Sequence, residues 1–454
     1  MVILILLAVL VSAGVIVLTG STSIATSLLY FVTLGTGISF WLTKGNRRDR
    51  LNLLKIFFSS YVAYVLFSLV SYLDYNAIND FFLFPDQTLF FEVGETLGKG
   101  TGLSQIFQDC FILRIHEENE GAYFIFGLIG FVANKYFDGN SILLQSLHVG
   151  FMAMILNLFL YKTIRFHTYR SEALKFALLF AFFSPLFFYA PWILRDVHIA
   201  LLYAIGIYMM HTRFTIKRLL LFIPLIIVTL EFRLEMGLFS FFMPVYYFYF
   251  RGKKHRNYKF LLTSFIFVGV AVFGMILNFL VTSIEATLKS FESYSSYTEE
   301  NLGGGLGAML YELPVGLKQL AVTFFSQIMP FPAWGKFLVS ETSFEYIISL
   351  IECCGAIFWS CLFLFMTFAF TNKKVRKHLS KENIVMLVIA LVFLLGNSSE
   401  MNTRRILCIY PLIFILYLNI RHMLPKRKRM YYSYSSIALY SALSVIYFFI
   451  KYSS

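Results

Sequence analysis

Long apolar runs alternate with short polar loops along almost the whole chain. A helix needs about 20 apolar residues to cross a bilayer. About thirteen stretches meet or approach that length: 3–18, 24–43, 52–72, 141–161, 174–192, 197–211, 219–232, 237–250, 260–282, 345–370, 384–396, 405–420 and 432–450. The pattern predicts an all-α polytopic membrane protein, a single integral membrane domain over 1–454. Gly121–Tyr136 is also apolar. Counting it as a span would place Lys162, Arg165 and Arg170 on the outer side, so it is read as a helix lying along the outer membrane surface.

Charge gives these spans a direction. Most of the 38 Lys and Arg residues fall in or beside the loops 44–50, 162–175, 211–218, 251–259, 373–381 and 421–429, with Lys55 just after the first. Lipid cannot solvate charge, and Lys and Arg are retained on the cytoplasmic side during insertion. Of the 25 acidic residues, only Asp49, Glu172 and Glu382 stay with those loops. The N-terminus is therefore expected in the cytoplasm and the C-terminus outside. Met1–Leu18 has no basic n-region and reads as a retained first span.

Two loops on the outer face, 73–140 and 283–344, are too long to be mere connectors. The second contains Gly303–Gly305, and Ser293–Gly307 is expected to be a flexible stretch that orders around substrate. Leu313–Trp334, with Pro314, Pro330 and Pro332, reads as interfacial helix and turns.

Composition narrows the function. A chain that is 58% hydrophobic and 14% charged cannot hide its apolar surface in a water-soluble core. Its net charge of +13 lies in short blocks against spans, where headgroups rather than nucleic acid account for it. Cys353, Cys354, Cys361 and Cys408 fall in expected spans and Cys110 is expected exposed, so neither a disulfide framework nor a metal site is indicated. A phosphate-cradling Gly-rich loop followed by Lys and Ser or Thr is missing from the sequence, which argues against cytoplasmic ATP chemistry. No cofactor is called for.

The chemistry is sought at the outer ends of spans, where charges at membrane depth are costly and mark candidate sites. Three segments stand out: Trp192-Ile-Leu-Arg195-Asp196, Glu231-Phe-Arg233-Leu-Glu235 and Asn402-Thr-Arg404-Arg405. Arg195 has the alternative of snorkelling or pairing with Asp196, and Arg233 that of neutralisation by its flanking glutamates. A guanidinium offers a rigid fork of donors matched to phosphate oxygens. Several at one depth suit a lipid diphosphate headgroup. Asp86 stands just beyond a span and before a helix-like segment; it suits general-base work, although spacing alone favours a helix N-cap. Glu117, Glu118 and Glu120 read as a solvated acidic run and His148 as a packing residue. Glu352, near the outer end of its span, is a further candidate for substrate binding, and His198 follows Asp196 closely.

The order of these features resembles the membrane-embedded GT-C glycosyltransferases: the span 52–72, an outer loop with Asp86, a surface helix near 121–136, the spans 141–161 and 174–192 around a cytoplasmic turn, then Arg195-Asp196. Within that class the chain is most similar to bacterial polysaccharide repeat-unit polymerases of the Wzy or EpsG type, through Leu194-Arg195-Asp196-Val-His-Ile-Ala200 and Arg405-Ile-Leu-Cys-Ile-Tyr410-Pro411. It departs from them with Arg233 where an EpsG-type protein tends to have His, and with Asp196 directly after Arg195.

The resemblance implies an enzyme of the bacterial cytoplasmic membrane. An acceptor hydroxyl attacks the anomeric carbon of a glycan carried on undecaprenyl diphosphate, releasing the lipid diphosphate. Arg195, Arg233, Arg404 and Arg405, with Glu235 and Glu352, would bind substrate, and Asp86 or Asp196 would be the base. Membrane lipid, a flippase and a chain-length regulator of the same pathway are the expected partners. The same features also suit a single-sugar transferase using a polyprenyl-phosphate donor, and less well a lipid-linked glycan transporter or an acyltransferase.

Overall fold

In the computed structural model, residues 1–78, 86–114, 119–254, 313–338, 340–397 and 403–452 are described, together with Thr263 and Leu310. Ser293–Gly307, Glu117, Glu118 and all of the expected span 260–282 except Thr263 lie outside the described residues. Among the described residues every regular element is helical. The first are α1 (Val2–Thr19), α2 (Thr22–Thr43), α3 (Arg47–Ile78), α4 (Asp86–Gly98), α5 (Leu103–Phe107), α6 (Glu120–Tyr136), α7 (Ile142–Ile164) and α8 (Arg170–Phe183). There follow α9 (Pro185–Tyr189), α10 (Asp196–His211), α11 (Ile216–Phe232), α12 (Leu234–Ser240), α13 (Phe242–Arg251) and α14 (Val315–Ser326). The chain continues through α15 (Ser343–Thr371), α16 (Lys373–His378), α17 (Lys381–Asn397), α18 (Thr403–Ile406), α19 (Tyr410–Met423) and α20 (Lys426–Tyr452).

Among the described residues, six helical runs are long and apolar enough to cross a membrane: Val2–Thr19, Thr22–Thr43, Arg47–Ala77, Ile142–Ile164, Ser343–Thr371 and Thr403–Met423. The chain is thus an all-α protein with the helices of a membrane protein. α1 exposes Ile3, Leu6, Val9, Leu10, Val17 and Leu18 around its length, a surface that needs lipid rather than water. α7 is the opposite case. It is buried on nearly all faces, between α3 and α10, and forms the centre of the bundle.

Side-chain oxygens start several helices. Ser21 accepts from the Ile24 N–H, Ser141 from Leu144 and Thr215 from Arg218. Thr342 and Glu345 form a reciprocal capping box at the start of α15. Two expected spans are interrupted. The stretch 174–192 breaks at Ser184, whose ψ of 157° is extended because Pro185 follows it. The stretch 237–250 is shared between α12 and α13, with the junction at Phe241.

The basic loops meet at one end of the bundle, and each of the three acidic residues there bridges to another loop. Asp49 accepts from Arg165 and Arg170, Arg421 and His422 face Glu172, and Arg251 bonds Glu382. Arg251 Nε also donates to the Met210 carbonyl, which brings the 211–218 loop into the same layer.

At the other end, the described residues of the expected loop 73–140 are largely helical. α4 and α6 cross so closely that a Cβ on Gly98 would lie 2.7 Å from the Gly130 carbonyl carbon, and one on Gly94 would lie 2.9 Å from Phe126 Cβ. Small residues at this crossing let two backbones touch. Two expectations are corrected here. Glu120 is buried rather than solvated, because it opens α6 under Arg114 and pairs with it. Cys110 is buried rather than exposed, because its π-helical turn Gln108–Ile112 packs against α6.

Candidate functional site

Four separate segments deliver charge to one place at this second end. α4 begins with Asp86, α10 begins with Asp196, the chain turns extended at Arg233 between α11 and α12, and α18 carries Arg404 and Arg405. The turn at Arg233 is sharp. Gly237 lies against Leu230, where a Cβ would come within 2.4 Å of a side-chain methyl, so α12 folds back along α11. The Tyr203 hydroxyl holds this turn by donating to the Met236 carbonyl, 2.6 Å away.

The ion pairs form a chain from the interior to the surface. Arg233 Nη1 donates to Asp196 Oδ1 at 3.1 Å, with the two side chains only 7% and 4% exposed. Arg404 Nε stands 3.5 Å from the other oxygen of Asp196, and Arg404 Nη2 donates to Asp86 Oδ2 at 2.7 Å. Arg404 is 13% exposed and Asp86 52%, so the chain of charges ends in an accessible carboxylate. The fields of Arg195 and Arg405 also act on Asp196. Arg195 Nη1 donates to the Phe232 carbonyl at 3.0 Å, and the field of Glu235 reaches it.

No known family model, curated protein or solved structure matches the chain. Its chemistry therefore has to be read from the site itself.

Six of the eight residues singled out by sequence are gathered in this cluster: Asp86, Asp196, Arg195, Arg233, Arg404 and Arg405. Glu235 sits at its edge beside Arg195. Glu352 is half-buried on α15 and joins none of these ion pairs. The local alternative for Arg233 falls away. Arg233 is paired not with its flanking glutamates but with Asp196, while Glu231 turns to Arg114. Asp86 opens α4, but its carboxylate is bonded to a guanidinium from the far end of the sequence.

The histidines play other parts. His148 Nδ1 meets the Leu144 carbonyl and its ring packs edge-on against Phe31, as a packing residue does. His198 is buried, stacked on Phe232. Among the described residues no group of His, Cys, Asp and Glu could hold a metal ion.

Several supporting residues were not legible in the sequence. Gln87 is buried and accepts the Ile193 N–H at 3.0 Å, which ties the start of α4 to the turn leading into Arg195. Tyr189 shares a 2.7 Å hydrogen bond with Thr403, steadying the turn that carries Arg404. Tyr123 of α6 lies within the fields of Arg195 and Asp86. Only Gln87 left a hint, as a polar residue next to Asp86 at the head of an apolar helix.

Among the described residues, four guanidinium groups stand around Asp86 and Asp196. Guanidinium groups gathered in this way suit an anion with several oxygens, which the planar forks can bind in pairs. The exposed Asp86 adds a proton acceptor at the rim of the cluster.

Proposed function

We propose that the protein is a membrane glycosyltransferase that joins oligosaccharide repeat units carried on undecaprenyl diphosphate into a surface polysaccharide. The observation that carries this reading is the convergence of Arg195, Arg233, Arg404 and Arg405 on Asp196, with Asp86 exposed beside them. A polyprenyl carrier keeps its tail in lipid and its phosphates at the interface. The site lies at the end of the bundle opposite the basic loops, which in the thirteen-span reading is the outer face, with the N-terminus in the cytoplasm and the C-terminus outside.

In this reaction the acceptor hydroxyl oxygen forms a bond to the anomeric carbon while the bond from that carbon to the phosphate oxygen breaks. Asp86 takes the hydroxyl proton. The lipid diphosphate leaves with the electron pair, and the arginines stabilise the charge that develops on it. Asp196 is poorly suited to be the base, because both its oxygens face arginines in a buried setting. Its part is to hold Arg233 and Arg404 in position. The enzyme needs no soluble cofactor for this step; a flippase would supply its substrate and a chain-length regulator would act on its product.

The deciding experiment places the purified protein in vesicles with undecaprenyl-diphosphate-linked repeat units and separates the products by length. A ladder with release of undecaprenyl diphosphate is expected. Addition of one sugar from a polyprenyl-phosphate donor would instead make it a single-sugar transferase, and movement of the glycan across the bilayer without bond formation would make it a transporter.

A further inference from the structure

We infer that Arg404 is an oxyanion-binding position for which Asp86 and a phosphate group compete, so that an arriving phosphate group displaces Asp86 and frees it. The inference rests on the diphosphate reading above and adds the order of events at that site.

The geometry of Arg404 supports this. One guanidinium serves two carboxylates, 2.7 Å from Asp86 and 3.5 Å from Asp196. The Asp196 side is sealed: both partners are nearly buried, and the second oxygen of Asp196 is held by Arg233. The Asp86 side is open, since half of that carboxylate faces solvent. Releasing a buried carboxylate would leave charge without a partner in low dielectric, whereas a carboxylate already in contact with water loses little when it is released. An anion competing for Arg404 therefore displaces Asp86 and leaves Asp196 in place. Once released from the guanidinium, Asp86 has a free oxygen with which to accept a proton. Binding of the donor thereby readies the base.

The test measures anion binding to purified full-length protein, independently of any glycosyl transfer. The probes are inorganic pyrophosphate and farnesyl diphosphate. Asp86→Asn removes the competitor and is expected to tighten pyrophosphate binding by about three- to fivefold, the upper end of the scale of a partly exposed ion pair. Glu231→Gln deletes the same charge nearby but on a residue bonded to Arg114, and is expected to change affinity less than about twofold. Arg404→Gln should weaken binding and erase the gain from Asp86→Asn in the double variant.

The exchange is overturned if Asp86→Asn weakens binding, matches Glu231→Gln, or keeps its gain without Arg404. Absence of pyrophosphate and farnesyl diphosphate binding in every variant overturns both the exchange and the diphosphate reading. An Asp86-dependent gain in a protein that transfers no glycan keeps the exchange and removes only the glycosyltransferase reading. Tighter binding of farnesyl diphosphate than of pyrophosphate, with the same dependence on Asp86, supports a lipid headgroup as the anion; the reverse order with that dependence supports exchange with a free phosphate.

Discussion

Arg404 and Asp86 stand 318 positions apart in the chain and 2.7 Å apart in space. Their bond joins the first residue of α4 to the turn that leads into α19. Behind Arg404 lies Asp196, buried and held from both sides by Arg404 and Arg233. The two aspartates therefore differ in what their loss should do.

Asp86→Asn is expected to lower turnover by about 10²-fold or more while the protein stays folded, since an amide does not accept a proton at neutral pH. Asp196→Asn should act on stability instead. Leaving buried Arg233 without its anion costs about 3–5 kcal/mol. Turnover and detergent-melt curves at matched membrane abundance separate the two, and normal polymer from Asp86→Asn would end its assignment as the base.

Arg195→Lys should cut activity at least tenfold and leave membrane insertion unchanged, because lysine keeps the charge and loses the planar fork. Normal polymer length from both Arg195→Lys and Arg195→Ala would make Arg195 a structural residue that does no more than hold the Phe232 carbonyl.

Gly98→Ala tests the α4–α6 crossing. The added methyl would meet the Gly130 backbone at 2.7 Å, where nothing can move aside cheaply. A loss of about 1–3 kcal/mol is expected, with activity falling because Asp86 heads the displaced helix. A melting temperature equal to wild type would show that the crossing tolerates the methyl.

Glu382→Gln removes the partner of Arg251 at the basic end. Both side chains are partly exposed, so the loss should stay within about 1 kcal/mol and shrink further in high salt. A double-mutant cycle with Arg251→Gln measures it; a coupling several times larger would mean that this pair is shielded from solvent.

Thr101→Cys and Lys374→Cys lie at opposite ends of the bundle, both exposed. In sealed cells an impermeant maleimide should label the first and reach the second only after permeabilisation. The reverse pattern would invert the orientation drawn from the positive loops.

The apolar periods of this chain by themselves determined that it would be helical and suited to lipid. The charge pattern also told which acidic residues belong with the basic loops, and Asp49, Glu172 and Glu382 do pair there with Arg165 and Arg170, with Arg421 and His422, and with Arg251. Such features are legible because they depend only on each segment's own solvation. Residue types costly at membrane depth also marked in advance most of the charges that the fold gathers into the candidate site. The partners within it were decided by tertiary structure. Arg233 is flanked by Glu231 and Glu235, yet it pairs with Asp196 on another helix and leaves Glu231 to Arg114. Residues two apart do not face each other on a helix, and Arg233 stands extended between the end of α11 and the start of α12. Sequence proximity therefore said little about pairing. Only the packing of α4, α10, α11 and α18 at one end of the bundle brings these charges within bonding distance, because a desolvated guanidinium takes whichever carboxylate the fold places beside it.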